Sequence, residues 1–489
     1  MRCSLKVSLK LSSLLSLAFL SLALSAFSAA QTASSPTPSI NPGNQNPYNG
    51  SDPETTPEPQ VLQIDFKEAI DRGLRRNLGL LLASDQAQNA RGERWKELAE
   101  LLPDISGRVM ENVQTQSLAA LGFNKLLPLF APGGSGSFPR VVPTFNYFDA
   151  RVSLNQSVFN LRNIEKERSA SESLKAAQLS YKDSREIVVL AVGNAYLQAI
   201  AATARVDTIE AQVKNAQALF DKASDQQKAG LIPAIDTLRS QVELQTRQQQ
   251  LISARNDLAK LKMTVGRIIG LAPGQQFVLT ETAPYAALTP LPQEAYLQHA
   301  YTSRADYQAA LAQVRAAELS KRSAAAGHMP SFDISANIGD IGVTPGQSNG
   351  TWQVNGGVTI PIFAGNRVHA DVLQEDAKLK QARSQLGDLR GRIDYEVRAA
   401  LLDLNSAAQQ VEVARSSVDL ADQALAQSQD RFTAGVADNL EVVQAQEALA
   451  AAHESYIQSL YAHNLAKVEL AYAIGDAEHG VKEFLKGNH

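Results

Sequence analysis

Cysteine is almost absent from this chain, and its scarcity excludes several kinds of protein. The only cysteine, Cys3, lies in an N-terminal segment that we predict to be removed on export. The exported protein then has no disulfide, no thiolate metal site and no cysteine for a lipid anchor. Aromatic residues are scarce at 6%, and the hydrophobic share of 44% relies heavily on alanine. We therefore expect extended helices rather than one compact core.

Signatures of catalysis and of metal binding are missing as well. The sequence contains no HExxH, GxSxG or phosphate-loop motif. Its histidines lack metal-ligand spacing, and the placing of His453 and His463 on one helical face is better explained by ordinary packing or solvation. Removal of the predicted N-terminal segment takes away three basic and no acidic residues, so the formal net charge changes from −4 to −4 − 3 = −7, which argues against a nucleic-acid partner. We expect a protein that is not an enzyme and has no cofactor or bound metal.

The N-terminal region has two parts. Residues 1–30 begin with basic residues, continue with an apolar run rich in serine and end in a small-residue cleavage site, which indicates a secretory signal peptide. A transmembrane anchor is the alternative, but the run is short and no stop-transfer pattern follows it. Residues 31–60 are rich in Pro, Ser, Thr, Asn and Gly, which predicts a disordered or extended leader.

The remaining chain repeats itself, in residues 61–273 and 274–489. Similar openings, FKEAIDRGLRRN and PQEAYLQHAYTS, each lead into a helix that ends at a Pro-marked boundary. A strand pair, a long helix, a glycine break and a second helix follow in both halves. This order predicts a two-fold internal repeat.

The predicted strands alternate apolar and polar residues. They cover about residues 104–114 and 148–159 in the first half and 331–339 and 352–363 in the second. Alternation fits a soluble sheet on a core or a lipid-facing barrel with a wet lumen. The barrel is favoured because nothing nearby could cover an apolar face and because segments of about ten residues suit a tilted membrane strand. We read residues 122–147 as a longer loop on the outer side.

Four strands cannot close a membrane barrel, since an open sheet edge in lipid leaves backbone groups unpaired. Several chains must therefore share one barrel, and three chains would supply twelve strands, an even number that leaves room for a lumen.

The predicted long helices cover residues 161–228, 234–270, 365–432 and 438–474, with no proline inside the first and third. An unbroken helix the length of the first or third would span roughly 100 Å and would need packing partners to remain helical in water.

A glycine break separates the two long helices of each half. Gly230 and Gly435 can end a helix in the left-handed conformation. Pro233 suits the start of the next helix, and Asp438 with Glu441 resembles an N-terminal capping pair. Each break is therefore predicted to be the tip of a hairpin of antiparallel helices.

Over essentially its whole mature length, the sequence resembles the TolC-like outer membrane efflux proteins. Four features that occur in both halves carry this resemblance. They are the Glu-Ala openings (Glu68-Ala69 and Glu294-Ala295), the proline boundaries (Pro103 and Pro330), the strand ends SVFN and PIFAGNR, and the Ala-Gly tips. Each piece alone is weak, but the same order in both halves is specific.

The resemblance implies a homotrimer whose twelve-stranded outer-membrane barrel continues as a periplasmic tunnel of helices. It implies an inner-membrane pump or secretion transporter and a periplasmic adaptor as partners, with outer-membrane lipid around the barrel. The implied adaptor-contact tips are Ala229, Gly230, Leu231, Ala434, Gly435 and Val436. The implied acids at the periplasmic entrance are Asp236 and Glu441. Gln444 departs from the pattern, because some relatives carry another acid there.

Two functions of different classes follow from these observations. The first is a passive exit channel in the outer membrane for small molecules or polypeptides. The second is a soluble periplasmic coiled-coil adaptor or structural protein, whose helical hairpins can look alike in sequence. The alternating strands favour the channel, because an adaptor should show a compact β-rich domain.

Overall fold

The computed structural model describes residues 46–57, 59–118, 120, 141–281, 285–286, 292–434, 436–437 and 439–486. Within these ranges the chain is mostly helical with a smaller β part. The predicted signal peptide and the first part of the leader lie outside the described residues, as do residues 121–140 of the predicted outer loop.

The described residues contain helices of very unequal length, two of them with 68 and 67 residues. In chain order they are α1 Phe66–Arg76, α2 Leu78–Ala99, α3 Leu161–Lys228, α4 Ala234–Ile269, α5 Gln293–Ser303, α6 Ala305–Ala325, α7 Arg367–Thr433, α8 Asn439–Ala473 and α9 Ala477–Lys486. Polar side chains cap several of them: Asp65 accepts a hydrogen bond from the Glu68 amide at 2.6 Å, and Asn160 accepts one from the Asn163 amide at 3.3 Å.

Two sheets form within the described residues. The strands are β1 Leu62–Ile64, β2 Asp104–Ser117, β3 Val141–Asn160, β4 Phe277–Leu279, β5 Ser331–Gly342 and β6 Ser348–Thr359. The short strands β1 and β4 pair in parallel, and the other four form an antiparallel sheet in the order β2-β3-β5-β6. Strands β2 and β6 are the edges of this sheet, and each has one neighbour among the described strands.

The register places apolar and polar side chains in separate rows across the four-stranded sheet. One row consists of Ile105, Leu154, Ala336 and Val354. The next consists of Ser106, Ser153, Asn337 and Gln353. Because successive side chains of a strand point to opposite faces, these two rows lie on opposite faces of the sheet, one apolar and one polar.

Strand bounds differ from the sequence expectation in two places. β3 begins at Val141, so residues 141–147, which we expected to belong to the outer loop, are strand. They pair with the C-terminal part of β2, which continues to Ser117, beyond the predicted end at about residue 114. β6 covers Ser348–Thr359 rather than 352–363, because Thr359 pairs with Ser331, the first residue of β5, and no described strand continues beside residues 360–363.

Residues 46–57, which we expected to belong to a disordered or extended leader, pack in part against the helices. Pro47–Asn49 form a 3-10 helix, and the Tyr48 hydroxyl lies 3.0 Å from the Ser184 hydroxyl of α3. Asn77 donates to the Tyr48 carbonyl at 2.7 Å. Gly79 makes room for this aromatic ring, because a Cβ there would lie 2.4 Å from it. Packing of one tyrosine on α2 and α3 thus orders a segment whose composition alone favours disorder.

The largest buried cluster surrounds the middle of α3, where α3 meets β1, β4 and α8. Tyr196 is fully buried, donates its hydroxyl hydrogen to the Ile64 carbonyl at 3.1 Å and packs edge-on against Phe66. Among the described residues, α3 is the helix that is apolar enough to cross a membrane, but 56% of its apolar window is buried inside the protein. The apolar character of this stretch of α3 is therefore explained by its place in the core of the protein.

The long helices form two antiparallel hairpins, α3–α4 and α7–α8, and α3 also packs along α8. The hairpin tips therefore lie at the end of the helical part that is farthest along α3 and α7 from the four-stranded sheet.

Candidate functional site

The turn between α3 and α4 is a glycine-terminated helix end. Gly230 has a φ of 73°, and the amides of Gly230 and Leu231 donate to the carbonyls of Gln227 and Gln226, both at 2.9 Å. This is the pairing of a Schellman motif, which satisfies carbonyls that the helix end would otherwise leave open. Pro233 then precedes α4 with a φ of −71°. The tip is thus a hydrogen-bonded turn specified by local sequence.

The turn between α7 and α8 has the same backbone connection where the structure describes it. The Ala434 amide donates to the Asp430 carbonyl at 2.9 Å, and the Val436 amide donates to the Arg431 carbonyl at 3.0 Å. The second bond corresponds to the one made by Leu231 in the first tip. Gly435 and Asp438 lie outside the described residues.

Both tips present an apolar side chain to solvent. Leu231 is 73% exposed and Val436 is 69% exposed, and Ala229 and Ala434 beside them are also exposed. Apolar side chains on hydrogen-bonded turns can bury area against a partner with little loss of backbone freedom.

Lys222 of α3 joins the two hairpins close to their tips. Its ammonium group donates to the Thr433 hydroxyl at 3.0 Å and lies 5.9 Å from the centre of the Phe432 ring. Phe432 belongs to a small buried cluster that also contains Leu425 and Val442. The structure therefore brings the ends of the two hairpins of one chain side by side.

Each of the two predicted entrance acids has an arginine partner within the chain. Arg239 Nη1 lies 3.3 Å from Asp236 Oδ1, and Arg431 Nε lies 3.2 Å from Glu441 Oε1. Asp236 is only 9% exposed, whereas the Glu441 side chain is 40% exposed. The sequence reasoning missed both arginines. The three-residue spacing of Asp236 and Arg239 on one helix could have indicated the first, and Arg431 meets Glu441 only because the chain turns between them.

A buried group of charges lies where α5, α6, α7 and α8 meet. Arg304 is 3% exposed; its guanidinium contacts Asp306 Oδ2 at 2.7 Å and Glu396 Oε2 at 2.6 Å, and donates to the Ala473 carbonyl at 3.1 Å. Nearby, burial raises the pKa of Asp183 to about 7, and the charge of Asp306 adds to this rise.

A second buried set lies on α8. Lys467 is fully buried and donates to the Ala286 carbonyl, and burial lowers its pKa to about 8. His463, one turn before it, packs its ring 5.1 Å from that of Tyr285. Burial, together with the charge of Lys467, lowers the pKa of His463 to about 4. Both groups contact residues 285–286, which lie before α5 in the chain.

The apolar face of the four-stranded sheet is the second functional surface. Val109 and Trp352 are each 76% exposed, and Ile338 and Val354 are 65% and 62% exposed. An exposed apolar surface that continues across all four strands indicates contact with lipid or with another chain. The structure thus contains a lipid-compatible sheet at one end and paired helical tips at the other.

Comparison with known proteins identifies the same architecture. The family described as Outer membrane efflux protein matches residues 69–271 and 296–476. The alkaline protease secretion protein AprF of Pseudomonas aeruginosa is 23% identical over 418 residues, which are 79% of this chain and 84% of AprF. The outer membrane protein TolC of Escherichia coli is 22% identical over 348 residues, which are 68% of this chain and 70% of TolC.

Solved structures agree on the fold. The Campylobacter jejuni CmeC outer membrane channel superimposes with a TM-score of 0.71 at 15% identity, over 87% of this chain and 90% of CmeC. At this level of identity the likeness concerns the fold alone, which is shared with CmeC.

Proposed function

This chain belongs to the outer membrane efflux protein family, whose members are outer-membrane exit channels and not enzymes, and we propose that three copies of it share one twelve-stranded barrel that continues as a periplasmic tunnel of helices. The observation that carries the proposal is the four-stranded antiparallel sheet with an exposed apolar face and two edge strands, β2 and β6.

The sheet edges supply the physical reason for a shared barrel. An edge strand has backbone N–H and C=O groups without partners, and in lipid each such group costs several kcal/mol. Pairing β2 of one chain with β6 of the next satisfies both edges at once, and three repetitions close the sheet. The apolar face then meets lipid, and the polar row of Ser106, Ser153, Asn337 and Gln353 faces a water-filled lumen.

The two halves of the chain are proposed to be structural repeats, residues 61–273 and 274–489. Each half supplies two strands of the four-stranded sheet, a 68- or 67-residue helix and a shorter returning helix. The same family matches each half separately, over residues 69–271 and 296–476. A trimer of such chains would have a tunnel wall built from six similar hairpin units.

The hairpin tips are proposed to meet the periplasmic adaptor, through which an inner-membrane pump or secretion transporter loads the channel. Exposed Leu231 and Val436 would supply apolar contacts at the two turns, with Ala229, Gly230, Ala434 and Gly435 allowing close approach. Asp236 and Glu441 would lie at the narrow entrance. Since each is paired with an arginine, the net charge of the entrance depends on these pairs as well as on the acids.

The proposed cargo is small molecules or polypeptides. The name of AprF states a role in secretion of an alkaline protease, which supports a path wide enough for a polypeptide. The channel itself supplies a water-filled route, and the energy must come from its partner.

Single-channel recording tests the proposal. The mature protein, purified in detergent as a trimer by native mass and placed in a planar lipid bilayer, should give discrete, long-lived conductance steps. Because the mature chain has no cysteine, cysteines introduced at Met110 of β2 and at successive positions of β6 should form cross-links between chains that yield trimers on denaturing gels. A monomeric protein released by osmotic shock without detergent would contradict the shared barrel.

A further inference from the structure

Two arginines lie opposite each other on the polar face of the four-stranded sheet. Arg108 of β2 pairs in register with Arg151 of β3, and the row continues through Gly339 and Thr351. This row lies next to the polar row that contains Ser106 and is on the same face by alternation. Like charges directly opposite each other in a sheet are destabilising. Surrounding residues must therefore offset the electrostatic repulsion between the two arginines.

Asp149 offsets the charge of one of these arginines only. The Arg151 Nε–H donates to Asp149 Oδ1 at 2.6 Å, and the second guanidinium nitrogen contacts Oδ2, so the carboxylate is held by two bonds. Asp149 is 2% exposed, and its charge is therefore committed to Arg151. Arg108 is exposed and forms no ion pair with any residue that the structure describes. The row therefore has a net charge of about one positive unit per chain.

Gly339 leaves space for this arrangement. A Cβ at Gly339 would lie 2.7 Å from Cγ of Arg151 and 2.1 Å from the Ala150 carbonyl oxygen. A larger residue at this position of β5 would clash first with the backbone of β3, at the Ala150 carbonyl and the Arg151 Cα, and would push the two strands apart at this row.

The remaining acids on this face of the described strands lie toward the helical end of the sheet. Asp104 is four residues before Arg108, which at 3.3 Å per residue is about 13 Å along the strand. Asp333 of β5 pairs with Ser157 and lies farther still in that direction. Since charges are screened over about 8 Å at physiological ionic strength, these acids do not neutralise the charge of Arg108 in the row where it lies.

We infer that Arg108, with Arg151 beside it, forms a ring of positive charge inside the barrel that attracts anionic solutes, such as those that contain carboxylate or phosphate groups. The inference rests on the proposed trimer, in which three copies of the row encircle one lumen. Low-dielectric walls focus the field of such a ring and raise the local concentration of counter-ions. The guanidinium fork also matches carboxylate and phosphate oxygens in two-bond contacts. The barrel thereby favours anions at a level far from the acids of the helical tips.

Reversal potentials in a KCl gradient across a planar bilayer test the inference. We expect Arg108→Gln to lower the chloride-to-potassium permeability ratio about threefold relative to the wild type, because three charges leave the lumen. Asp149→Asn should raise the ratio, because it frees the charge of Arg151. Citrate added on the barrel side should reduce the wild-type current more strongly than the R108Q current.

Two control variants separate charge from shape. Arg108→Lys should retain the wild-type ratio, and Gln353→Asn, a neutral change in the adjacent polar row, should leave it unchanged. Conducting channels whose ratio is the same in the wild type, R108Q and D149N would overturn the charged ring while leaving the channel intact. Wild-type protein that inserts and never conducts would instead contradict the channel itself, and the ring with it.

Discussion

Arg304 and Glu396 are joined by an ion pair in which a guanidinium nitrogen, Nη1, lies 2.6 Å from the carboxylate Oε2. Arg304 stands at the break between α5 and α6, and Glu396 lies in the middle of α7. The same guanidinium donates to the carbonyl of Ala473 at the end of α8. One almost fully buried side chain therefore joins the break between α5 and α6 to α7 and to the end of α8.

Replacing Arg304 with Met should destabilise the protein strongly. The change leaves the carboxylates of Asp306 and Glu396 without their partner in a largely buried place, which typically costs about 3–5 kcal/mol. The measurement is the midpoint of denaturant unfolding of the purified protein in detergent. Arg398→Gln is the matched control, because Arg398 forms an exposed pair with Asp394 on α7 and should cost only about 0.3–0.5 kcal/mol. Equal midpoints for R304M and R398Q would contradict the structural role of Arg304.

The buried Lys467 should give the protein a measurable dependence on alkaline pH. Its folded-state pKa, lowered to about 8 by burial, lies below the unfolded value of 10.5. Between these two values Lys467 binds its proton more fully in the unfolded chain than in the folded one, so its contribution to stability should rise as the pH rises from about 8 to 10.5. The gain should be at most about 3 kcal/mol.

Lys467→Met should remove the contribution of Lys467 to the pH dependence of stability, and it should stabilise the protein most at pH 8 and below. Unfolding midpoints measured at several pH values from 7 to 10.5 check the prediction. Lys228→Met, at a side chain that is 74% exposed, is the control and should leave the slope as in the wild type. A slope that is unchanged in K467M would contradict the assignment to Lys467.

The long elements were predictable because their signals are repeated many times along the sequence. Apolar residues recur every seven positions in α4: Leu244 and Val265 are buried, and Leu251 and Leu258 between them are half-buried. The alternation in β5 likewise separates Ile338 from Asn337 onto opposite faces. In both cases each residue adds to the same periodic pattern, so local information suffices to place the element.

Features that depend on one contact between distant segments could not be predicted. Residues 46–57 are ordered by Tyr48, whose partner Ser184 is 136 positions away in the sequence. The pairing of Glu441 with Arg431 depends on the geometry of the turn between them. That Arg108 has no ion-pair partner among the described residues becomes evident only from the strand register and from the ion pair between Asp149 and Arg151. A periodic sequence pattern contains no information about such contacts.

Acidic substitutions at the hairpin tips should weaken adaptor binding without harming the fold. Leu231→Asp and Val436→Asp change side chains that are 73% and 69% exposed, so the unfolding midpoint should be unaffected. If these side chains fill apolar pockets of the adaptor, each change should weaken binding about tenfold.

A photo-reactive amino acid placed at Ala229 in living cells provides the measurement for the tips. The yield of the cross-link to a periplasmic adaptor, identified by mass spectrometry, should fall in L231D and V436D and should persist in Leu231→Met. Cross-linking that stays at the wild-type level in both acidic variants would show that the tips are not the adaptor contact.

The charge pairs near the tips should control the ion preference of the periplasmic entrance. Arg431→Gln removes the positive charge that lies beside Glu441, and with three copies at a narrow mouth the cation-to-anion permeability ratio should rise about threefold. Glu441→Gln should lower the ratio, because it leaves Arg431 as a positive charge. Gln444→Glu adds an acid at an exposed position one turn further along α8 and should raise the ratio as R431Q does. Reversal potentials check all three signs, and an E441Q channel with the conductance and cation preference of the wild type would place Glu441 away from the entrance.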